Sequence, residues 1–360
     1  MYTRVRVART VARAMIASML LLLVNQESAS GDACESAVVA EFGGSPRKAG
    51  GSARRPEVHL RDPGTYCLDD DIHQRKLMDR RNGQEMTTIG GDATVLIGAD
   101  GVALDLGTHT ISNERSLGYT LIKHYRYEPG NKHVHWFART HIRNGRLRSP
   151  GSKGIALRLI AASLYGGNGF GSVLGVAPGK TARDAFKDTS HLIENLEIEA
   201  GHRAVLIDGQ NNIIRNNHIV VDGATAIVAQ GPGIVIEDNI IEVRKDFSSF
   251  SEHDRRRESM TPFPIRLIQA DGAIVRNNQI RLVDRALRGS LPAAIELVES
   301  KDVSVQGNRF GGMEAPVHAD AASSYRDAGN HAEGCPEGAT RYLPPDDAVA
   351  SGRLRYPTCR

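Results

Sequence analysis

Apolar residues recur along this chain in one short phrase, apolar–x–Asn/Asp–x–x–apolar, set between polar neighbours. It reads IRNGRL at 142–147, IENLEI at 193–198, IRNNHI at 214–219, IEDNII at 236–241 and VRNNQI at 275–280. VQGNRF at 305–310 keeps the frame with Gly first, and LGTHTI at 106–111 reads as a degenerate early copy. The tightest intervals between copies are 21 and 22 residues, and longer ones read as the same unit with insertions. Each copy predicts a short strand, a two-residue corner and a second short strand, because apolar and polar positions alternate with period two. The residue before the corner forms one inward column: Leu106, Ile142, Ile193, Ile214, Ile236, Val275 and Val305. The residue after it forms another: Ile111, Leu147, Ile198, Ile219, Ile241, Ile280 and Phe310. Asn and Asp suit the corner because they tolerate positive φ, and stacked amides can form a ladder.

A third strand precedes each pair, in AVLID (204–208), AIVAQ (226–230), IRLIQ (265–269) and IELVE (295–299). Leu206, Val228, Leu267 and Leu297 are assigned inward; Val205, Ile207, Ile227 and Ala229 are assigned to the outer surface. Three short strands per turn predict an all-β chain, a single-stranded right-handed parallel β-helix with loop insertions and disulfide-pinned ends. A leucine-rich repeat needs a helix or 3₁₀ segment per unit, and a β-sandwich does not hold columns in one fixed frame.

The ends read differently. Arg4, Arg6, Arg9 and Arg13 precede an apolar run from Ala14 to Val24, which predicts a signal peptide over 1–30 and a secreted or periplasmic protein. An N-terminal segment (31–57), the β-helix (58–312) and a disulfide-closed C-terminal tail (313–360) follow. The leader carries four Arg and one Glu; without them the chain's 45 basic and 42 acidic residues become 41 of each. The basic balance belongs to the leader, so no global positive field argues for nucleic acid. Cys34, Cys67, Cys335 and Cys359 lie near the two ends. Of three possible pairings, local closure of Cys34 with Cys67 and of Cys335 with Cys359 is expected. After leader cleavage neither a membrane nor an oligomeric partner is expected.

PGTYCLDDDI (63–72), DGVALDLGTHTI (100–111) and the Asn-rich corners resemble secreted bacterial β-helix proteins of the pectate-lyase-like superfamily, including its NosD-like group. The resemblance covers roughly residues 58 to 312 and speaks for fold more than activity. The superfamily holds polysaccharide lyases, glycoside hydrolases, uronate epimerases and non-catalytic proteins. It implies a substrate groove along the strand that precedes the Asn-cornered pair.

The insertions point to the same wall. Residues 113–131, 161–189 and 244–264 interrupt the repeat beside that strand, where loops are held by a rigid scaffold. Alternation directs His133, His135, Arg158, Arg266 and Glu296 outward, with Asp208, Gln230, Gln269 and Glu299 at the polar strand end. Neighbouring loops add Lys123, His124, Tyr125, Arg126, His202 and Arg203. Such a set suits a polysaccharide rich in uronate, handled by a lyase or C5-epimerase. Arg158 or Arg266 would bind the carboxylate in a bidentate fashion. His133 or His135 would take the C5 proton and Tyr125 would donate to the leaving oxygen. A non-catalytic binding scaffold is the alternative. A glycoside hydrolase is a second one, disfavoured because Asp208 and Glu299, read as equivalent positions three turns apart, would be about 14 Å apart at the spacing of neighbouring strands. No cofactor is expected; LDDDIH (68–73) hints at Ca²⁺, but consecutive carboxylates on a strand alternate faces.

Overall fold

A computed structural model describes residues 36–38, 58–74, 93–113, 120–124, 137–151, 154–160, 186–223, 225–244, 263–283, 291–313 and 315–332. These residues all fall within one unit, Ser36–Arg360. Strand is the only regular structure among them.

The strands follow one another as rungs. β1 (Ser36–Val38) precedes them. The first rung is β2 (Val58–Leu60), β3 (Gly64–Leu68) and β4 (Ile72–Gln74), and the second is β5 (Ala93–Ile97), β6 (Val102–Asp105) and β7 (Thr110–Asn113). The third is β8 (Thr120–His124) and β9 (His141–Ser149); the fourth is β10 (Ile155–Leu159) and β11 (Leu192–Ala200). Then come β12 (Arg203–Asp208), β13 (Ile213–Arg215) and β14 (His218–Val221), followed by β15 (Ile227–Gln230), β16 (Val235–Glu237) and β17 (Ile240–Val243). The seventh rung is β18 (Ile265–Ile268), β19 (Ile274–Arg276) and β20 (Gln279–Leu282). The eighth is β21 (Ile295–Val298), β22 (Val303–Gln306) and β23 (Arg309–Gly311), and the ninth is β24 (Val317–Ala319), β25 (Tyr325–Ala328) and β26 (His331–Ala332).

Every pairing is parallel and joins a strand to its counterpart one rung on. The first strand of each rung builds a nine-stranded sheet, here sheet 1; the remaining strands together with β1 build the 17-stranded sheet 2, which has two limbs meeting at the Asn corner. β9 and β11 run unbroken through that corner. This stacking is compatible with a parallel β-helix. It continues to residue 332, one rung beyond the boundary at 312 read from the sequence.

Side chains between the sheets form one continuous core. The columns after the corner are as read, from Ile111 and Leu147 to Phe310. The column before it needs one correction. Leu104, not Leu106, is in register with Ile142. The second rung turns a wider corner, and Leu106 fills it, fully buried, against the third rung.

The corners divide their labour between two residues. The first adopts positive φ: Asn144 (55°), Asn195 (55°), Asn216 (54°), Asp238 (56°), Asn277 (56°), Gly307 (59°) and Gly329 (64°). From the fifth to the eighth rung the second is a buried Asn, and on the ninth it is the half-buried Asn330. Asn217 Nδ2 donates to Asn239 Oδ1 (3.0 Å), Asn239 to Asn278 (3.0 Å), Asn278 to Asn308 (3.0 Å) and Asn308 to Asn330 (2.9 Å). Each acceptor oxygen also takes the backbone N–H of the Asn one rung below. Polar groups turned inward at the corner are therefore satisfied by their own repeat.

Candidate functional site

Sheet 1 sets the candidate site through its register. Val95, Ile122, Leu157, Val205, Ile227, Ile265 and Ile295 stack in one inward column. Leu159, Ile207, Ala229, Leu267 and Leu297 stack in a second. Between them runs the outward column His59, Leu96, Lys123, Arg158, Leu206, Val228, Arg266, Glu296 and His318. Leu206 and Val228 thus face out and Val205, Ile207, Ile227 and Ala229 face in, the reverse of the assignment from sequence. Runs such as AVLI are apolar at every position, so alternation cannot orient them; the ladder does. The outward Leu206 and Val228 join Ile155 and Ile268 in a separate buried cluster.

Arg158 and Arg266 lie in the same column, three rungs apart. Lys123 is Arg158's neighbour one rung below. Asp208 and Gln230 pair with each other and lead to Ile268 and Val298, so Asp208 is not at the position equivalent to Glu299. Glu299 instead accepts a hydrogen bond from Gln269 Nε2 (2.9 Å), both residues having φ of 49°. Asp208, Gln230 and Gln269 are buried. His202 and Arg203 are buried at the corner that enters β12.

His124 is not a groove residue. It takes the place of Ile97 and Leu159 in the inward column. Its Nε2 is 3.1 Å from Thr140 Oγ1 and its ring is 4.9 Å from that of His191. Burial pushes the His191 imidazole down to about 3 and holds His124 well below its usual value. Tyr125, Arg126, His133 and His135, with Cys34, Cys335 and Cys359, lie outside the described residues. Cys67 is disulfide-bonded.

The upper part of the column gathers chemistry. Arg266 Nε and Glu296 Oε2 approach to 2.8 Å without the alignment of a hydrogen bond, and both side chains are largely buried. Burial lowers the affinity of Arg266 for its proton, against the attraction of Glu296. Burial likewise raises the Glu296 carboxyl; Arg266 opposes this and Asp320 adds to it. Desolvation outweighs attraction on both sides of the pair, as it does for many buried ion pairs. His318, one rung on from Glu296, is lowered by burial against the pull of Asp320, and Phe263 stacks on its ring at 5.4 Å and 16°. A carboxyl raised by burial and an imidazole lowered by it thus stand on adjacent rungs, with a cation beside them.

Neither His318 nor Phe263 was singled out from the sequence. APVHAD (315–320) follows IELVES by one rung, and the Gly329–Asn330 corner lies 22 residues after Gly307–Asn308, so a signal was present. It was hidden because Asp327, not an apolar residue, continues the column of Val305.

The outer face of sheet 2 contrasts with this. On its first limb Asp105, Arg143, Glu194, Arg215, Glu237 and Arg276 succeed one another rung by rung. Arg143–Asp105 (2.8 Å), Arg215–Glu194 (2.7 Å) and Arg276–Glu237 (2.5 Å) are paired. His141 Nε2 lies 2.8 Å from Glu194. These charges neutralise one another. Among the described residues, no group of three or more His, Cys, Asp or Glu side chains is placed to hold a metal ion. No family model, no curated protein and no solved structure matches the chain.

Proposed function

We propose that this chain is a secreted right-handed β-helix of the pectate-lyase-like kind that acts on a uronate-containing polysaccharide along the outer face of sheet 1. The observation that carries the reading is the succession Arg266, Glu296 and His318 on three adjacent rungs of one outward column. Right-handedness follows the general preference of parallel crossover connections. The pairing Ala37↔Cys67 brings the chain just after Cys34 beside Cys67, which supports a Cys34–Cys67 bridge.

In the proposed β-elimination, neutral His318 takes the C5 proton of the uronate. The C4–O4 bond then breaks, a C4=C5 double bond forms, and Glu296 gives its proton to the departing O4. Arg266 sits beside the reacting carboxylate, while Lys123 and Arg158 hold carboxylates further along the chain. A C5-epimerase would use the same base and return a proton to the opposite face of C5.

A non-catalytic scaffold is favoured by one feature, the apolar Leu206 and Val228 that interrupt the polar column. Incubation with alginate, pectate and glycosaminoglycans decides between them, read as ultraviolet absorbance of the unsaturated product and as solvent-deuterium uptake at C5. The lyase or epimerase reading expects turnover that falls by about 10²-fold or more in Glu296→Gln and His318→Ala. Binding without either signal leaves the scaffold.

A further inference from the structure

The first limb of sheet 2 carries a second outward column beside its charge ladder. His141, Leu192, Ile213, Val235, Ile274 and Ser304 are in register on the third to eighth rungs. The middle four are apolar and remain partly exposed. A solvated sheet face is ordinarily polar at such positions, and a contiguous apolar stripe rimmed by charge marks a contact surface.

The neighbouring ladder identifies the occupant. Over the fourth to seventh rungs it reads Glu194, Arg215, Glu237 and Arg276. Read backwards, the order is Arg, Glu, Arg, Glu, the opposite sign at every place. A two-fold axis that lies along the strand direction, between the fifth and sixth rungs, reverses the rung order but keeps each column against itself. Stripe then meets stripe: Ile213 lies on Val235 of the second copy and Leu192 on its Ile274. Ladder meets ladder, with Arg215 opposite Glu237 of the second copy and Glu194 opposite its Arg276. A two-fold along the coil would instead lay the apolar stripe on the charged ladder, which leaves charge desolvated against hydrocarbon.

We propose that this face is the contact between two copies of the chain, packed antiparallel about that axis. It makes an isologous interface, with an apolar strip beside a row of complementary charges. Four partly exposed side chains and one ladder make a small patch beside the roughly 800 Å² per partner of a standard complex, so the association is weak and concentration-dependent. The proposal stands apart from any reaction on sheet 1.

Sedimentation velocity over a concentration series of the full chain tests it. A monomer–dimer equilibrium is expected, and Val235→Asp, an outward change, weakens it about tenfold or more while the circular dichroism stays unchanged. A Leu192→Cys/Ile274→Cys double variant tests the geometry without relying on that substitution. Sheets packed face to face lie about 10 Å apart, which leaves two opposed thiols within reach of a short bifunctional thiol reagent. Within one chain these positions are three rungs apart, about 14 Å at strand spacing. Such a reagent must therefore give a covalent dimer in the double variant and none in either single variant. A monomer at every concentration, a dimer indifferent to Val235→Asp, or no cross-link in the double variant would overturn the proposal.

Discussion

Asn239 hydrogen-bonds in four directions inside the coil. Its Oδ1 accepts from the N–H of Asn217, and its Nδ2 reaches the carbonyls of Ile214 and Glu237 and the side chain of Asn278. Asn239→Ala leaves buried groups unpartnered and should cost about 2 kcal/mol or more, since each orphan costs about 1–3 kcal/mol. Asn216→Ala, at the exposed left-handed position beside the ladder, should cost only about 1 kcal/mol of backbone strain. Chemical denaturation compares the two. The Asn was visible in the sequence as a corner residue; its split into a strained position and a ladder position was not, because both residues are often Asn. The buried imidazoles offer a second test. In the unfolded chain His124 and His191 titrate near 6.5. Below that pH the unfolded chain binds more protons than the folded one, so their contribution is full above about pH 6.5 and falls as pH drops. Glu194, Glu199 and Glu242, held low in the fold, withdraw stability only below the ordinary carboxylate range. Glu296 and Asp327, raised by burial, act with the opposite sign, and comparison with a variant cancels them. His124→Leu, which continues the column of Leu159, should flatten the fall of melting temperature between pH 6.5 and pH 5. An unchanged slope would contradict the assignment.

Strands and corners obey the register more than their own composition. Gly145 shows this at the corner of β9, where φ is 96°. A Cβ there would sit 2.6 Å from Leu106 Cβ and 2.7 Å from the His109 carbonyl oxygen, so the wide second corner dictates the third. Gly145→Ala should cost about 2–3 kcal/mol through strain and overpacking together. Gly272→Ala, at φ 68° with open space around it, should cost about 1 kcal/mol from strain alone. On β12 the neighbours Leu206 and Ile207 are both buried, yet only Ile207 belongs to the main core. Ile207→Asp should therefore lower the thermal unfolding temperature further than Leu206→Asp. The two limbs of sheet 2 were legible because an apolar residue recurs at a fixed offset on either side of the Asn corner. The orientation of sheet 1 was not, because both of its faces are apolar on the fifth and sixth rungs.

Among the described residues, charge is used in two ways on the two sheets. On sheet 2 it alternates and cancels along the ladder. On sheet 1 a buried cation, a raised carboxyl and a lowered imidazole are stacked without such alternation. The sequence placed Arg158, Arg266 and Glu296 on one wall, and the register agrees. It ended the coil too early to include His318, because the ninth rung breaks the apolar column at Asp327 while keeping the Asn corner. The central claim is that this wall receives an acidic glycan. Crystals soaked with a uronate oligosaccharide test it most directly. Sugar density along the outer face of sheet 1, with a carboxylate at Arg266 and a ring between Glu296 and His318, is the expected result. Oligosaccharide bound only on sheet 2, or at a corner remote from Glu296, would contradict it.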